Sequence, residues 1–432
     1  MQAMLAFENA PPFAAPLRFF LTAPLFAVLA GLLLAFEGPD LLASRWTPGL
    51  LAATHLMTIG FMLQVMLGAL IQILPVVAGA SLKNSLVVAR LVHVGLSVGA
   101  LLLGAGFLAA SPVLLGCAAA ILGFTVLYFL AVTARALIGV PTTSPTIRGI
   151  KLALFGLAVV VGYGVFLALA LAGGWSLPLM ALADLHAGWG LGGWAGVLLA
   201  AMAYVVVPMF QLTPGYPARA SWWFPIFVLA MLGLWSLALV AEWPWLVRLA
   251  PLGMALAGIA FAGLTLRLQG KRRRARPDTT YRYWQLGLIG STVGLVLLSL
   301  AALWPAAADL DGWTVISGIL LVAGGFVPCI TGMLYKIIPF LSWMHLQSFG
   351  QAKVPAPAMN RILAEVGMHR QMLAYVAALT LLLAATIFPA WLARVAGLAF
   401  AVANGWLWWN LIGAVRRYRG HLADMAHKLA TP

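Results

Sequence analysis

Three histidines stand inside apolar runs: His55 in "HLMTIGFMLQVMLGALIQILP", His93 in "SLVVARLVHVGLSVG" and His186 in "DLHAGWGLGGWAGVLLAAMAYVVVPMF". An imidazole in such surroundings is a metal or haem ligand or a hydrogen-bonded structural group, and it is costly without a partner. His55 lies 20 residues before Pro75, and His186 lies 22 before Pro208. At about 1.5 Å rise per residue both sit some 30 Å from their prolines, at matching depth. They are therefore candidates for two ligands of one iron or other metal. Gly190 and Gly193 follow His186 by four and seven residues, which is its own face of an α-helix. Bare glycines there either admit a flat macrocycle or let two helices approach. His55, Met62 and Met66, spaced by seven and four, also share a face. Imidazole and thioether together suit copper(I), while methionine is equally a filler of apolar cores. His93 falls about ten residues, or roughly 15 Å, away from the depth of His55, and reads as a structural, hydrogen-bonded histidine. His345, His369, His421 and His427 fall at helix ends or in the C-terminal tail, where interfacial solvation accounts for them.

The elements that hold these groups are membrane helices. The chain of 432 residues is 63% hydrophobic and 8% charged, whereas charged residues make up about a quarter of an ordinary soluble domain. A spanning helix needs roughly 20 apolar residues. Twelve such runs are centred near residues 26, 64, 98, 124, 161, 195, 232, 257, 293, 328, 380 and 404, leaving no room for a soluble domain. The fold class read here is all-α integral membrane, a single polytopic unit over residues 1–432. The N-terminal "MQAMLAFENAPPFAAPLRFF" lacks the pattern of a signal peptide. Cys117 and Cys329 both fall inside predicted helices, where a structural disulfide is not expected.

A net charge of +15 suggests nucleic acid until its placement is considered. With both termini on the cytoplasmic side, basic residues gather in the even-numbered loops and the tails, including the stretch from Lys271 to Arg276. Only Arg45, Arg248 and Arg394 fall outside, beside Glu37, Asp40, Asp184, Glu242, Asp309 and Asp311. This is the positive-inside distribution of an inner-membrane protein; the basic partner is the bilayer, not a nucleic acid. "GLGGWAG" lies within a helix and is no phosphate loop. Paired carboxylates and nucleophile–base motifs are also missing from the sequence.

A repeat underlies the helices. The second, sixth and tenth end alike, in "GALIQILP", "AMAYVVVP" and "GMLYKIIP", with Pro75, Pro208 and Pro339 spaced by 133 and 131 residues. Seven residues before each proline sits a small residue: Gly68, Ala201 and Gly332. Equal spacing points to three four-helix units, at residues 16–139, 149–268 and 282–415.

Twelve helices in three such units, with histidines on the second and sixth, resemble the catalytic subunit of haem–copper oxidases and nitric oxide reductases. The second helix is closer to the NnrS family of nitric-oxide-response membrane proteins. His55, Met57, Gly60, Phe61, Gly68 and Pro75 keep its pattern H-x-M-x-x-G-F-x6-G-x6-P. That family is associated with haem and copper, so the resemblance implies a haem ligand at His55. This chain departs from the oxidases on the tenth helix, which has Ser317 and Ile319 in place of a His-x-His pair. The His-His pair of the oxidase seventh helix is also replaced, by "ASWWFPIFVLAMLGLW".

An oxygen reductase of that type uses six histidine ligands, and this chain has three histidines in the membrane. One bis-histidine haem b is what the count allows. The expected role is binding or sensing a small gaseous ligand such as nitric oxide, or passing single electrons with a quinol or cytochrome partner, rather than reducing oxygen. Transport of copper or another small solute is the competing reading, since proline-interrupted repeats also suit transporters. A cofactor-free assembly subunit is the third.

Overall fold

The computed structural model describes residues 9–273, 276–307, 310, 312–351 and 353–430. Asp309 and Asp311, named above for their charges, lie outside these. So do Arg274 and Ala275 of the basic stretch and the first eight residues of the N-terminal segment. Among the described residues twelve helices are long and apolar enough to cross a membrane. They are α1 (Ala14–Glu37), α2 (Pro48–Ala78), α3 (Ser85–Leu108), α4 (Pro112–Leu137), α5 (Pro145–Gly173) and α6 (Leu179–Gln211). The second half comprises α7 (Ala218–Val240), α8 (Pro244–Gly270), α9 (Thr279–Leu303), α10 (Trp313–Phe349), α11 (Glu365–Ala385) and α12 (Pro389–Ala430). The chain is a multi-pass membrane protein. Its outward faces carry large apolar side chains such as Phe124, Val240 and Trp391, which water would not tolerate in such numbers but lipid does.

Several helix starts were written in the sequence as a capping residue followed by proline. Thr47–Pro48, Ser111–Pro112 and Ser144–Pro145 open α2, α4 and α5, with each hydroxyl accepting from a backbone N–H three residues on. The proline supplies helical φ at a position whose N–H has no helical partner. Asp278 caps α9 in the same way, accepting from the Tyr281 N–H at 2.9 Å. At the other ends Gly79 and Gly174 take positive φ and close α2 and α5.

Nine helices form a closed outer ring. Successive neighbours pack around it from α1 through α3, α4, α5, α7, α8, α9 and α11 to α12, which returns to α1. The three proline helices lie inside: the apolar spans of α2, α6 and α10 are 83%, 56% and 78% buried, against 22–50% for the other nine. Each packs on the helix before it in the chain.

All three inner helices widen into π-helical turns, over Leu56–Leu63, Trp189–Gly196 and Val322–Phe326. The first two stretches run from 19 to 12 residues before their prolines, and the third from 17 to 13. The contacts with the preceding helix recur as well. Fifteen residues before the prolines stand Gly60, Gly193 and Gly324, which meet Phe26, Gly156 and Gly290. Seven before them stand Gly68, Ala201 and Gly332, which meet Phe19, Gly149 and Tyr283. On the preceding helices these partners are again seven residues apart in every case. At Gly156 and Gly290 a side chain would run into the backbone carbonyl of the facing glycine, so only glycine permits this approach.

Candidate functional site

His55 ends the α-helical first turns of α2, and His186 occupies the corresponding part of α6, each just ahead of its π segment. Their chain ends are pinned together by an ion pair between Arg45 and Asp184, N to O 2.5 Å. This pair also places the two histidines at one end of the bundle, away from the prolines. The imidazoles face each other with ring centres 6.3 Å apart and planes inclined by 20°. Both remain partly accessible.

The backbone fixes both rings through Nδ1. That of His55 lies 2.8 Å from the Leu51 carbonyl one turn back, and that of His186 lies 3.1 Å from the Val160 carbonyl on α5. A carbonyl oxygen only accepts, so each Nδ1 carries the proton and each Nε2 keeps its lone pair. This is the arrangement that metal-binding histidines adopt, with the remote nitrogen hydrogen-bonded and the near one free. Metal–imidazole bonds of about 2.0–2.1 Å, with a ring nitrogen about 1.1 Å from its ring centre, put the centres of two opposed ligands roughly 6–6.5 Å apart. The observed separation matches that spacing. Among the described residues no group of three or more His, Cys, Asp or Glu side chains comes together as a metal site. A metal between His55 and His186 would thus draw its other ligands from outside the protein.

Sequence reasoning paired these two histidines, and the residues it grouped with them lie across or within π segments. The offsets of four and seven held for an unbroken α-helix. A π-helical turn takes one extra residue, which rotates whatever follows by about 100°. Gly190 lies against Val160, whose carbonyl holds His186, and Gly193 lies against Trp189 and Leu232. A Cβ on Gly190 would lie 3.2 Å from a Val160 methyl, and one on Gly193 would lie 2.9 Å from the Trp189 ring and 3.0 Å from Leu232. At both positions the missing side chain lets its neighbours approach the helix. Across the π segment of α2, α-helical offsets no longer define one face for His55, Met62 and Met66. Met62 is buried in the core, and Met66 lines a cavity about eleven residues, or roughly 16 Å, further along α2.

Two residues outside the sequence-based set matter more. Val160 supplies the carbonyl that orients His186. Gly164, one turn on along α5, makes room for its ring: a Cβ there would stand 3.1 Å from His186 Cε1. The pattern G-x6-G-x7-G of Gly149, Gly156 and Gly164 on α5 was the available signal. Phe107 of α3 flanks His55 at 5.2 Å between ring centres.

His93 stands apart from this site, as expected. Its Nε2 is 2.8 Å from the Thr22 hydroxyl, and its ring meets Phe19 edge-on at 5.4 Å. On α10, Ser317 donates to the carbonyl of Trp313 on its own helix and makes no approach to the histidine pair.

A central cavity of about 120 Å³ opens at the proline end, between α2, α6 and α10. Met66, Leu199 and Ile330, nine residues before the three prolines, line it at one level. Ala69, Met202 and Met333 follow at six before, Ile73, Val206 and Ile337 at two before, and Val76, Met209 and Phe340 at one after. The three helices thus present the same four positions to one cavity. Scans against family models and curated proteins find no match to this chain.

Proposed function

We propose that this chain is a haem-binding inner-membrane protein with an architecture like that of the haem–copper oxidases. Three four-helix units, at residues 16–139, 149–268 and 282–415, would surround a pseudo-three-fold axis. The recurring π segments, paired helix contacts and cavity positions support this arrangement. The enrichment of Lys and Arg at the proline end supports cytoplasmic termini.

One observation carries the haem reading: two imidazoles 6.3 Å apart, each held by a backbone carbonyl so that Nε2 is free. Two protein donors alone do not complete a tetrahedral zinc site, whereas a porphyrin supplies four further nitrogens to an iron. When bound, haem supplies a one-electron couple and, once an imidazole is released, a position for a diatomic gas such as nitric oxide. The protein's part is to orient the rings. His55 is tied to its own helix by the shorter bond, and His186 to a neighbouring one by the longer. Movement of α5 against α6 would therefore shift His186 first.

The test is optical. Purified protein expressed with haem supply should show a low-spin bis-imidazole spectrum. His55→Ala and His186→Ala should each turn it high-spin with partial haem loss, and the double variant should retain none. His93→Ala should leave the spectrum as it was. Wild-type protein that never takes up haem would overturn the reading and favour solute transport.

A further inference from the structure

The central cavity lies at the opposite end of the inner helices from the histidine pair, and it stands independently of the haem reading. Its wall is aliphatic, aromatic and thioether, with no charged side chain among the lining residues. One amide interrupts it. Gln72 of α2 is 7% exposed and lines the cavity, and its amide makes no hydrogen bond to any described residue. Trp284 of α9, 1% exposed, also belongs to the wall. Buried amides are ordinarily paired. Gln211 accepts from Gln269, and Gln64 donates to Ser97 while its carbonyl oxygen has no partner among the described residues.

Water does not resolve the deficit. A buried water is held by two to four polar partners, and apolar cavities of roughly 150 Å³ stay dry while accepting benzene or xenon. This cavity is of that order. Each inner helix also contributes a methionine to its wall, Met66, Met202 and Met333, and methionine walls reshape around different occupants.

We infer that the cavity binds one small, uncharged, ring-sized apolar molecule bearing a hydrogen-bonding oxygen, which Gln72 recognises. The ring fills the apolar space, and the oxygen supplies the missing partner of the amide. Charged solutes are excluded because nothing in the wall would pair with them.

The probes are 4-fluorophenol and fluorobenzene, followed by fluorine NMR on the full-length detergent-solubilised protein. Both should bind saturably, with the phenol tighter by roughly three- to tenfold, the worth of one net hydrogen bond. Gln72→Leu should retain fluorobenzene binding and erase the preference. Met202→Trp and Ala69→Phe fill the cavity from two different helices. Either one, folded, should abolish saturable binding of both probes and serves as the blank for partition into detergent. Binding that persists in the filled variants, no saturable binding to wild type, or a phenol preference that survives Gln72→Leu would each overturn the assignment.

Discussion

Gly164→Val is the sharpest perturbation of the histidine pair, because it touches neither ligand. His186 is held between the Val160 carbonyl at 3.1 Å and the bare Cα of Gly164, where a Cβ would lie 3.1 Å from Cε1. Carbon atoms rest at about 3.5–4.0 Å. Alanine at this position would therefore push the ring by roughly 0.4 Å if the backbone holds, taking the shorter of those separations. Metal–ligand distances tolerate only about ±0.2 Å. Alanine already exceeds that tolerance, and valine adds two methyl groups on the same side.

The expected outcome is graded. Gly164→Ala should give a mixture of low-spin and high-spin iron, and Gly164→Val a largely high-spin spectrum. Haem affinity should fall by about 10- to 100-fold, the usual effect of disturbing a group that orients a ligand. Oxidised and reduced absorption spectra report the spin state, and haem titration of the apoprotein reports the affinity. A purely structural role for Gly164 would lower stability and leave the spectrum of the folded fraction unchanged. A wild-type low-spin spectrum in well-folded Gly164→Val would refute the argument that His186 is a ligand positioned by α5.

Two further predictions concern the frame and the charged end. Gly156→Ala and Gly290→Ala should destabilise the protein by similar amounts, at least the roughly 1–3 kcal/mol of ordinary overpacking, since both added methyls meet a facing backbone carbonyl. Thermal unfolding in detergent checks this, and a neutral result at either glycine would remove the equivalence of these two helix contacts. At the proline end, burial works to raise the Asp278 carboxyl, but Lys336 at 2.9 Å and bonds from Thr280 and Tyr281 outweigh it and hold it below its usual range. A depressed carboxylate stabilises the fold above its unfolded pKa, and that stability is lost as pH falls through the lower folded value. Lys336→Met should therefore lower the melting temperature near neutral pH and flatten its fall between about pH 6 and 2.5, around the ordinary aspartate pKa. An unchanged profile would mean that the ion pair contributes nothing to the fold.

Much of the frame was legible because its causes are one-dimensional. Apolar runs of membrane length locate twelve helices, and evenly spaced prolines identify which three are alike and lie inside. Matching depths brought His55 and His186 together from residue counting alone. What was not legible arises from the π segments. An extra residue per turn leaves the pattern of residue types nearly unmarked, yet it rotates everything beyond it. Offsets counted as α-helical across such a segment, as for Gly190, Gly193, Met62 and Met66, no longer define one face. His55 and His186 escaped because they precede it. A trace does exist in retrospect: Gly60, Gly193 and Gly324 stand within the three segments, each fifteen residues before its proline.

The third inner helix, α10, shows why a π segment need not stand beside a histidine. Widening a helix displaces carbonyls from their usual partners, and those groups need a donor in a membrane interior. In α10 that donor is Tyr375 of α11, whose hydroxyl reaches the Ala323 carbonyl within the π segment at 2.6 Å. Around it, Tyr283 and Tyr335 both donate to the Gln371 side chain, which in turn donates to the Ala403 carbonyl, and Asn410 donates to Tyr335. This network ties α9, α10, α11 and α12 together with protein groups alone. On α2 and α6 an imidazole stands beside the widened turn instead, each bonded through Nδ1 to a backbone carbonyl, with the two ring centres 6.3 Å apart. That difference between α10 and the other two inner helices is the physical reason to look for a ligand between His55 and His186.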